Sequence, residues 1–235
     1  MTTRRSVLLA GGIGLLVAPR LSRGQPQSKT ARIGILWVIS MGSPRHLEFR
    51  STFLQRLSAL GYVEGKTHLF VYRFAQGQAE RFPALASELV NLPVDVIVSW
   101  GTPASLAAHK ATDTIPIVMS AGDPIGAGIV AGLARPGRNV TGMSVQMAEQ
   151  EGKRLELLNK LLPNISRVAI LSNPSNPYCA IAVEEARRGA TALSLQFDLM
   201  EASEARSLEA TFLTLSRIRP RIDAVSFAGC PPCLP

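Results

Sequence analysis

Val94-Asp95-Val96-Ile97-Val98-Ser99-Trp100 runs directly into Gly101-Thr102-Pro103-Ala104-Ser105-Leu106-Ala107-Ala108. The first seven residues are mostly β-branched and apolar, the composition of a strand buried on both faces. Gly101 and Thr102 break the run, and Pro103 stands where the first turn of a helix tolerates a residue without an N–H. A buried strand that feeds a helix at once is half of a parallel β-α-β unit, so this stretch predicts an α/β chain with a parallel sheet.

The same succession extends outward in both directions. Apolar runs at 32–38, 68–74, 115–120 and 140–145 predict four more strands of this kind. Between them, 46–60 places Phe49, Phe53, Leu54, Leu57 and Leu60 at helical spacing and stops at Gly61, which suits a C-terminal cap. Residues 82–92 and 103–111 predict two further helices. A second series follows: a helix over 149–162 stopped by Pro163, a strand at 167–172, a helix over 177–192, a strand at 194–200, a helix over 203–218 and a strand over 223–228. The change of series falls near Met147, which predicts one lobe over 31–147 and a second over 148–235. No internal repeat, heptad or low-complexity tract interrupts the pattern.

The start of the chain reads differently. Arg4 and Arg5 precede an uncharged run of 14 residues, 6–19, and Ser22-Arg23-Gly24 places small residues at a cleavage spacing. This order predicts a secretory signal peptide over 1–24, and the run falls short of the roughly 20 residues a membrane span needs. Thr3-Arg4-Arg5-Ser6-Val7-Leu8 also fits a twin-arginine address. The three cysteines, Cys179, Cys230 and Cys233, lie far from the cleavage point, so no lipid anchor is expected and the mature protein is expected in the periplasm. With His46, His68 and His109 they form no metal-ligand spacing. The net charge of +8 drops to +4 without the four arginines of the signal, leaving 21 basic against 17 acidic residues. Those residues are dispersed and not interleaved with aromatics, so no nucleic-acid partner is implied.

In open parallel sheets, ligands bind beyond the carboxyl ends of the strands. After the first strand come Ser40 and Ser43, either ligand donors or, for Ser43, a helix cap. After the third comes Thr102, read as an N-cap with the amides of Ala104 and Ser105 behind it, a carboxylate site or a plain cap. After the fourth comes Asp123, accepting from a ligand ammonium or from its own turn. In the second series, Asn173 and Ser175 follow their strand in the same way. Trp37 and Trp100 lie near strand ends, where they could stack on a ligand ring or pack.

The turns carry a family resemblance. Gly61-Tyr62-Val63-Glu64-Gly65, Gly101-Thr102-Pro103-Ala104, Ile115-Pro116-Ile117-Val118, Gly122-Asp123-Pro124, Leu133-Ala134-Arg135-Pro136-Gly137, Asn139-Val140-Thr141-Gly142 and Gly152-Lys153-Arg154-Leu155-Glu156-Leu157-Leu158 stand in the order and spacing of one family. The chain resembles the substrate-binding proteins of ABC transporters, whose better understood members take up aromatic amino acids. The resemblance implies a type I periplasmic-binding-protein fold of two doubly wound lobes, a small-molecule solute held between them, permease subunits as partners, no cofactor, no catalysis and a monomer. It carries Thr102, Ser105, Asp123, Asn173 and Ser175 over as ligand contacts, with Ser40 and Ser43 beside them.

Two other readings stand beside it. Gly126-Ala127-Gly128-Ile129-Val130-Ala131 matches G-x-G-x-x-A, which would make the chain an exported cofactor-binding enzyme if the stretch joined a strand to a helix. The alternative is a truncated, nonfunctional fragment of a binding protein. The second series has 88 residues and ends in Gly229-Cys230-Pro231-Pro232-Cys233-Leu234-Pro235, whose prolines continue neither strand nor helix. An incomplete second lobe, more loosely held than the first, is therefore expected.

Overall fold

The computed structural model describes residues 30–145, 148–203 and 205–229. The predicted signal at 1–24, the crossover at Met147 and the Cys230–Cys233 tail lie outside the described residues. Strands β1 (Ala31–Trp37), β2 (His68–Phe74), β3 (Val96–Trp100), β4 (Ile117–Ala121) and β5 (Val140–Ser144) alternate with helices α1 (Pro44–Ala59), α2 (Phe82–Asn91) and α3 (Thr102–Ala111). Helix α4 (Glu151–Leu161) opens the second series, followed by β6 (Arg167–Ser172), α5 (Pro177–Ala192), β7 (Gln196–Glu201), α6 (Ala205–Arg217) and β8 (Ala224–Phe227). A 3-10 turn, Ala148–Gln150, replaces the first turn of the helix expected from 149.

Every strand pairing is parallel, and the strands form two sheets, β2-β1-β3-β4-β5 and β7-β6-β8. In each sheet the chain steps from the first strand it forms to one side, then crosses to the other. The point of reversal lies between β1 and β3 in the first sheet and between β6 and β8 in the second. Strand β6 matches the expectation of burial on both faces, buried at every position after Arg167, whereas the interior strands β3 and β4 alternate, with Val118 of β4 40% exposed. The edge strands depart from it too, because an edge has one neighbour and a half-covered face. Met143 on β5 is 65% exposed, and Leu69 on β2 is also open.

One face of the larger sheet packs under α2 and α3, where Leu36, Ile97, Ile117 and Met119 meet Leu85, Leu89, Ala104 and Ala108. Burying a leucine-sized side chain of this kind contributes about 1.5–3 kcal/mol. The opposite face carries Trp37, Ile39 and Phe74 with Phe49 of α1. Helix α1 ends as its sequence predicts: Gly61 adopts φ +85° one residue past the cap, and Tyr62 N donates to Leu57 O. In the second lobe, α4 and α5 cover β6 through Leu155, Val168, Ile170, Ala182 and Ala186.

The two sheets share a device that no sequence repeat signals. Asp95, just before β3, donates its amide to Arg32 O and accepts Arg32 N on its carboxylate at 2.7 Å. Asp223, just before β8, donates its amide to Arg167 O and accepts Arg167 N at 3.0 Å. Each carboxylate pins the starts of the two strands that flank the reversal, β3 to β1 and β8 to β6. The Asp223 carboxyl is held below the usual carboxylate range by the Ser166 and Arg167 amides.

Candidate functional site

The reversals place the carboxyl ends of β1, β3 and β4 at one opening, and the loop after β6 reaches the same opening from the second lobe. A cavity of about 580 Å³ lies there. Its walls are Trp37, Val38 and Ile39 at the end of β1, Trp100, Gly101, Thr102 and Pro103 at the end of β3, and Ser120, Ala121 and Gly122 at the end of β4. Arg45, Glu48, Phe49 and Thr52 of α1 close one side, and Asn173, Asn176 and Tyr178 face them from the second lobe.

The wall is predominantly apolar and aromatic. Trp37 and Trp100 end their strands in register, and their rings lie 5.3 Å apart at a tilt. Phe49 meets both edge-on, at 4.9 Å from Trp37 and 5.0 Å from Trp100. Arg45, Glu48, Thr102, Asn173 and Asn176 bring polar groups to this frame, as expected of a small-molecule pocket whose polar contacts orient the ligand. The first turns of α3 and α5 both border the cavity, and the partial positive charge of a helix N-terminus favours an anionic group there.

The predicted site residues divide. Thr102 and Asn173 line the cavity; Ser40, Ser43, Ser105, Asp123 and Ser175 are not on its wall. The cap of α3 is Gly101, and Thr102 is the first helical residue, which corrects the reading of Thr102 as the N-cap. Its hydroxyl turns across the sheet end to accept Gly122 N at 3.0 Å, joining the loops after β3 and β4. The Ser105 amide donates to Gly101 O inside the helix and is not available to a ligand as the sequence suggested. The Ser105 hydroxyl is buried 2.9 Å from that of Ser99. Ser43 caps α1 by accepting His46 N, and Ser40 accepts Ser43 N on its carbonyl. Asp123 accepts Gly126 N at 2.8 Å within its own turn. Asn173 accepts Ser175 N on its side chain, so the two residues form one turn whose first member reaches the cavity.

Arg45, Glu48, Asn176 and Tyr178 were not singled out by the sequence. Arg45 and Glu48 sit in the first turns of a helix whose apolar spacing signals packing, and nothing local marks its polar face as a wall. Asn176 was readable only as the α5 cap that it is, accepting Tyr178 N. His46 lies behind the wall, its Nδ1 accepting Gly42 N at 3.0 Å and so holding the loop after β1. Burial, then the charge of Arg50, pushes the His46 imidazole below its ordinary range. In the second lobe, Glu151 is buried, paired with Arg154 and accepting Gly229 N; burial pushes its carboxyl up against both partners.

Gly126–Ala131 does not join a strand to a helix. It lies in turns between β4 and β5, with Ala127 N bonded to Asp123 O and Ile129 N to Pro124 O. The context that a dinucleotide fingerprint requires is therefore missing.

Comparison with known proteins agrees with this geometry. The family model described as ABC transporter substrate binding protein matches residues 32–220. A tyrosine-binding protein of Clostridioides difficile is 30% identical over 191 residues, covering 76% of this chain and 54% of the relative. Among solved structures, a conserved domain protein from Vibrio cholerae is 30% identical with a TM-score of 0.71, covering 80% of this chain and 62% of that one. An ABC domain from Streptococcus pneumoniae in complex with L-Trp is 27% identical with a TM-score of 0.70, covering 85% and 65%. The chain thus spans less than two thirds of the length of each of these relatives. From the matched span, the parallel two-lobed fold and the placement of the cavity, it follows that this chain belongs to the ABC transporter substrate-binding protein family.

Proposed function

We propose that this protein is the extracytoplasmic solute-binding component of an ABC importer, taking a small solute, an amino acid or other small carboxylate, into the interlobe cavity and presenting it to permease subunits. The observation that carries the reading is the cavity itself, with an aromatic wall of Trp37, Phe49 and Trp100 and the first turns of α3 and α5 at its rim. The aromatic wall suits a planar or apolar side chain, and the helix starts suit a carboxylate. A relative that binds tyrosine and another solved with L-Trp support the same class of solute. Thr102 and Asn173 are polar contacts at the wall beside Arg45, Glu48 and Asn176, with Asp123, Ser105, Ser175, Ser40 and Ser43 supporting the loops that carry it.

In this role the protein binds and releases without catalysis, acts as a monomer, and reaches the periplasm through a cleaved signal over 1–24 without a lipid anchor. The two lobes divide near Met147. Among the described residues, no helix is long and apolar enough to cross a membrane. Titration calorimetry with L-tryptophan, L-tyrosine and L-valine tests the proposal. Saturable heat with the aromatic amino acids supports it; no heat with any of the three rejects this solute class.

A further inference from the structure

Helix α1 turns a charged stripe toward the cavity. Arg45, Glu48, Phe49 and Thr52 all line it, and their spacing of i, i+3, i+4, i+7 puts them on one face of the helix. Phe49 belongs to the aromatic wall with Trp37 and Trp100. Arg45 and Glu48 are exposed and bring full charges to the same face. Among the described residues that line the cavity, Arg45 is the one cation and Glu48 the one anion. The turn that carries them is pinned at its start, where the Ser43 hydroxyl accepts His46 N and His46 Nδ1 accepts Gly42 N.

The two charges stand open. A basic and an acidic residue three apart on a helix are neighbours that can pair, and Lys153 and Glu156 on α4, in the same order, meet at 2.7 Å. Arg45 and Glu48 do not. Among the described residues neither side chain makes an ion pair or a hydrogen bond, and only the Glu48 carbonyl is engaged, by the Ser51 hydroxyl. Elsewhere on the wall the Asn173 and Asn176 side-chain oxygens already accept Ser175 N and Tyr178 N. What those amides still offer is donors, and a donor cannot receive an ammonium. Asp123, the carboxylate to which the sequence pointed for that group, is off the wall and holds Gly126 N.

We propose that Arg45 and Glu48 read the charges of the solute: Arg45 receives the carboxylate and Glu48 the ammonium of a zwitterion whose side chain lies against the aromatic wall. This rests on the binding function proposed above and narrows its solute class from small carboxylates to zwitterions. The helix starts supply partial positive charge only. The two side chains supply whole charges of both signs, so Glu48 repels an acid that lacks an ammonium and Arg45 repels an amine that lacks a carboxylate.

Titration calorimetry on the full chain tests the pair with three probes: L-tryptophan, tryptamine, which lacks the carboxylate, and 3-indolepropionate, which lacks the ammonium. Glu48→Gln should weaken L-tryptophan and tryptamine about tenfold and leave 3-indolepropionate no weaker. Arg45→Gln should weaken L-tryptophan and 3-indolepropionate about tenfold and leave tryptamine no weaker. Arg56→Gln, the same charge change on the same helix but off the wall, should match the parent with every probe. If neither analogue gives heat with the parent, the demand for both charges is met, and the L-tryptophan losses in Glu48→Gln and Arg45→Gln decide. Parent-like L-tryptophan affinity in either variant, or an equal loss with all three probes, overturns the pair and leaves the solute reading standing. No heat from the parent with any probe removes both.

Discussion

Trp37 and Trp100 are register partners at the carboxyl ends of β1 and β3, on the two sides of the sheet's reversal, yet they differ tenfold in exposure: 4% against 39%. Both border the cavity, but Trp37 is covered by Phe49 and Phe74, whereas Trp100 is open to it. Their roles separate accordingly. Trp37→Ala should lower stability by about 3–5 kcal/mol, the cost of an emptied aromatic site. Trp100→Ala should lower stability less than Trp37→Ala, through its ring contacts with Trp37 and Phe49, and weaken L-tryptophan binding by about 0.5–1.5 kcal/mol. Urea unfolding and calorimetry on the two variants measure both effects.

The Thr102 hydroxyl bonds the Gly122 amide across the sheet end. Thr102→Val keeps the shape and removes the acceptor, so stability should fall by about 0.5–1.5 kcal/mol, while Thr102→Ser should retain most of it. A shift of the urea midpoint at constant slope is the expected signature.

His46 predicts a dependence on pH. Its folded pKa lies below the ordinary value of 6.5, through burial and then Arg50, so the native state binds fewer protons than the unfolded chain. The stability this contributes is complete above 6.5 and is lost as pH falls through the folded value. Protonation also removes the Nδ1 lone pair that accepts Gly42 N. Thermal unfolding between pH 5 and pH 8 should show the decline, and His46→Phe should flatten it in that window.

Glu151 predicts the opposite slope. Burial raises its carboxyl above 4.5, against the opposing pull of Gly229 N and Arg154. Its contribution is complete below 4.5 and is lost as pH rises through the raised value. Glu151→Gln keeps an acceptor for Gly229 N and should remove this loss; an unchanged pH profile in the variant would show that Arg154 neutralises the buried charge fully.

Local chemistry made most of the elements legible in the sequence. The spans at 68–74, 167–172 and 177–192 coincide with β2, β6 and α5, and the strand at 94–100 begins two residues late, after Asp95 has bonded Arg32. Strand and helix signals lie within a few residues of the positions they govern: apolar runs, Gly61 after α1, Pro103 and Pro177 in first turns. The α/β class and the level at which the site lies, the carboxyl ends of the strands, follow from those signals alone. Tertiary structure decided what the signals cannot encode. It set the strand order that brings Trp37 beside Trp100, and it turned the Thr102 hydroxyl away from its own helix toward Gly122, 20 residues on. It also made Arg45, Glu48 and Tyr178 parts of the cavity wall, because helices far apart in the chain converge there. Each of these depends on contact between segments distant in sequence, whose energy is set by shape and burial and leaves no periodic trace in either segment.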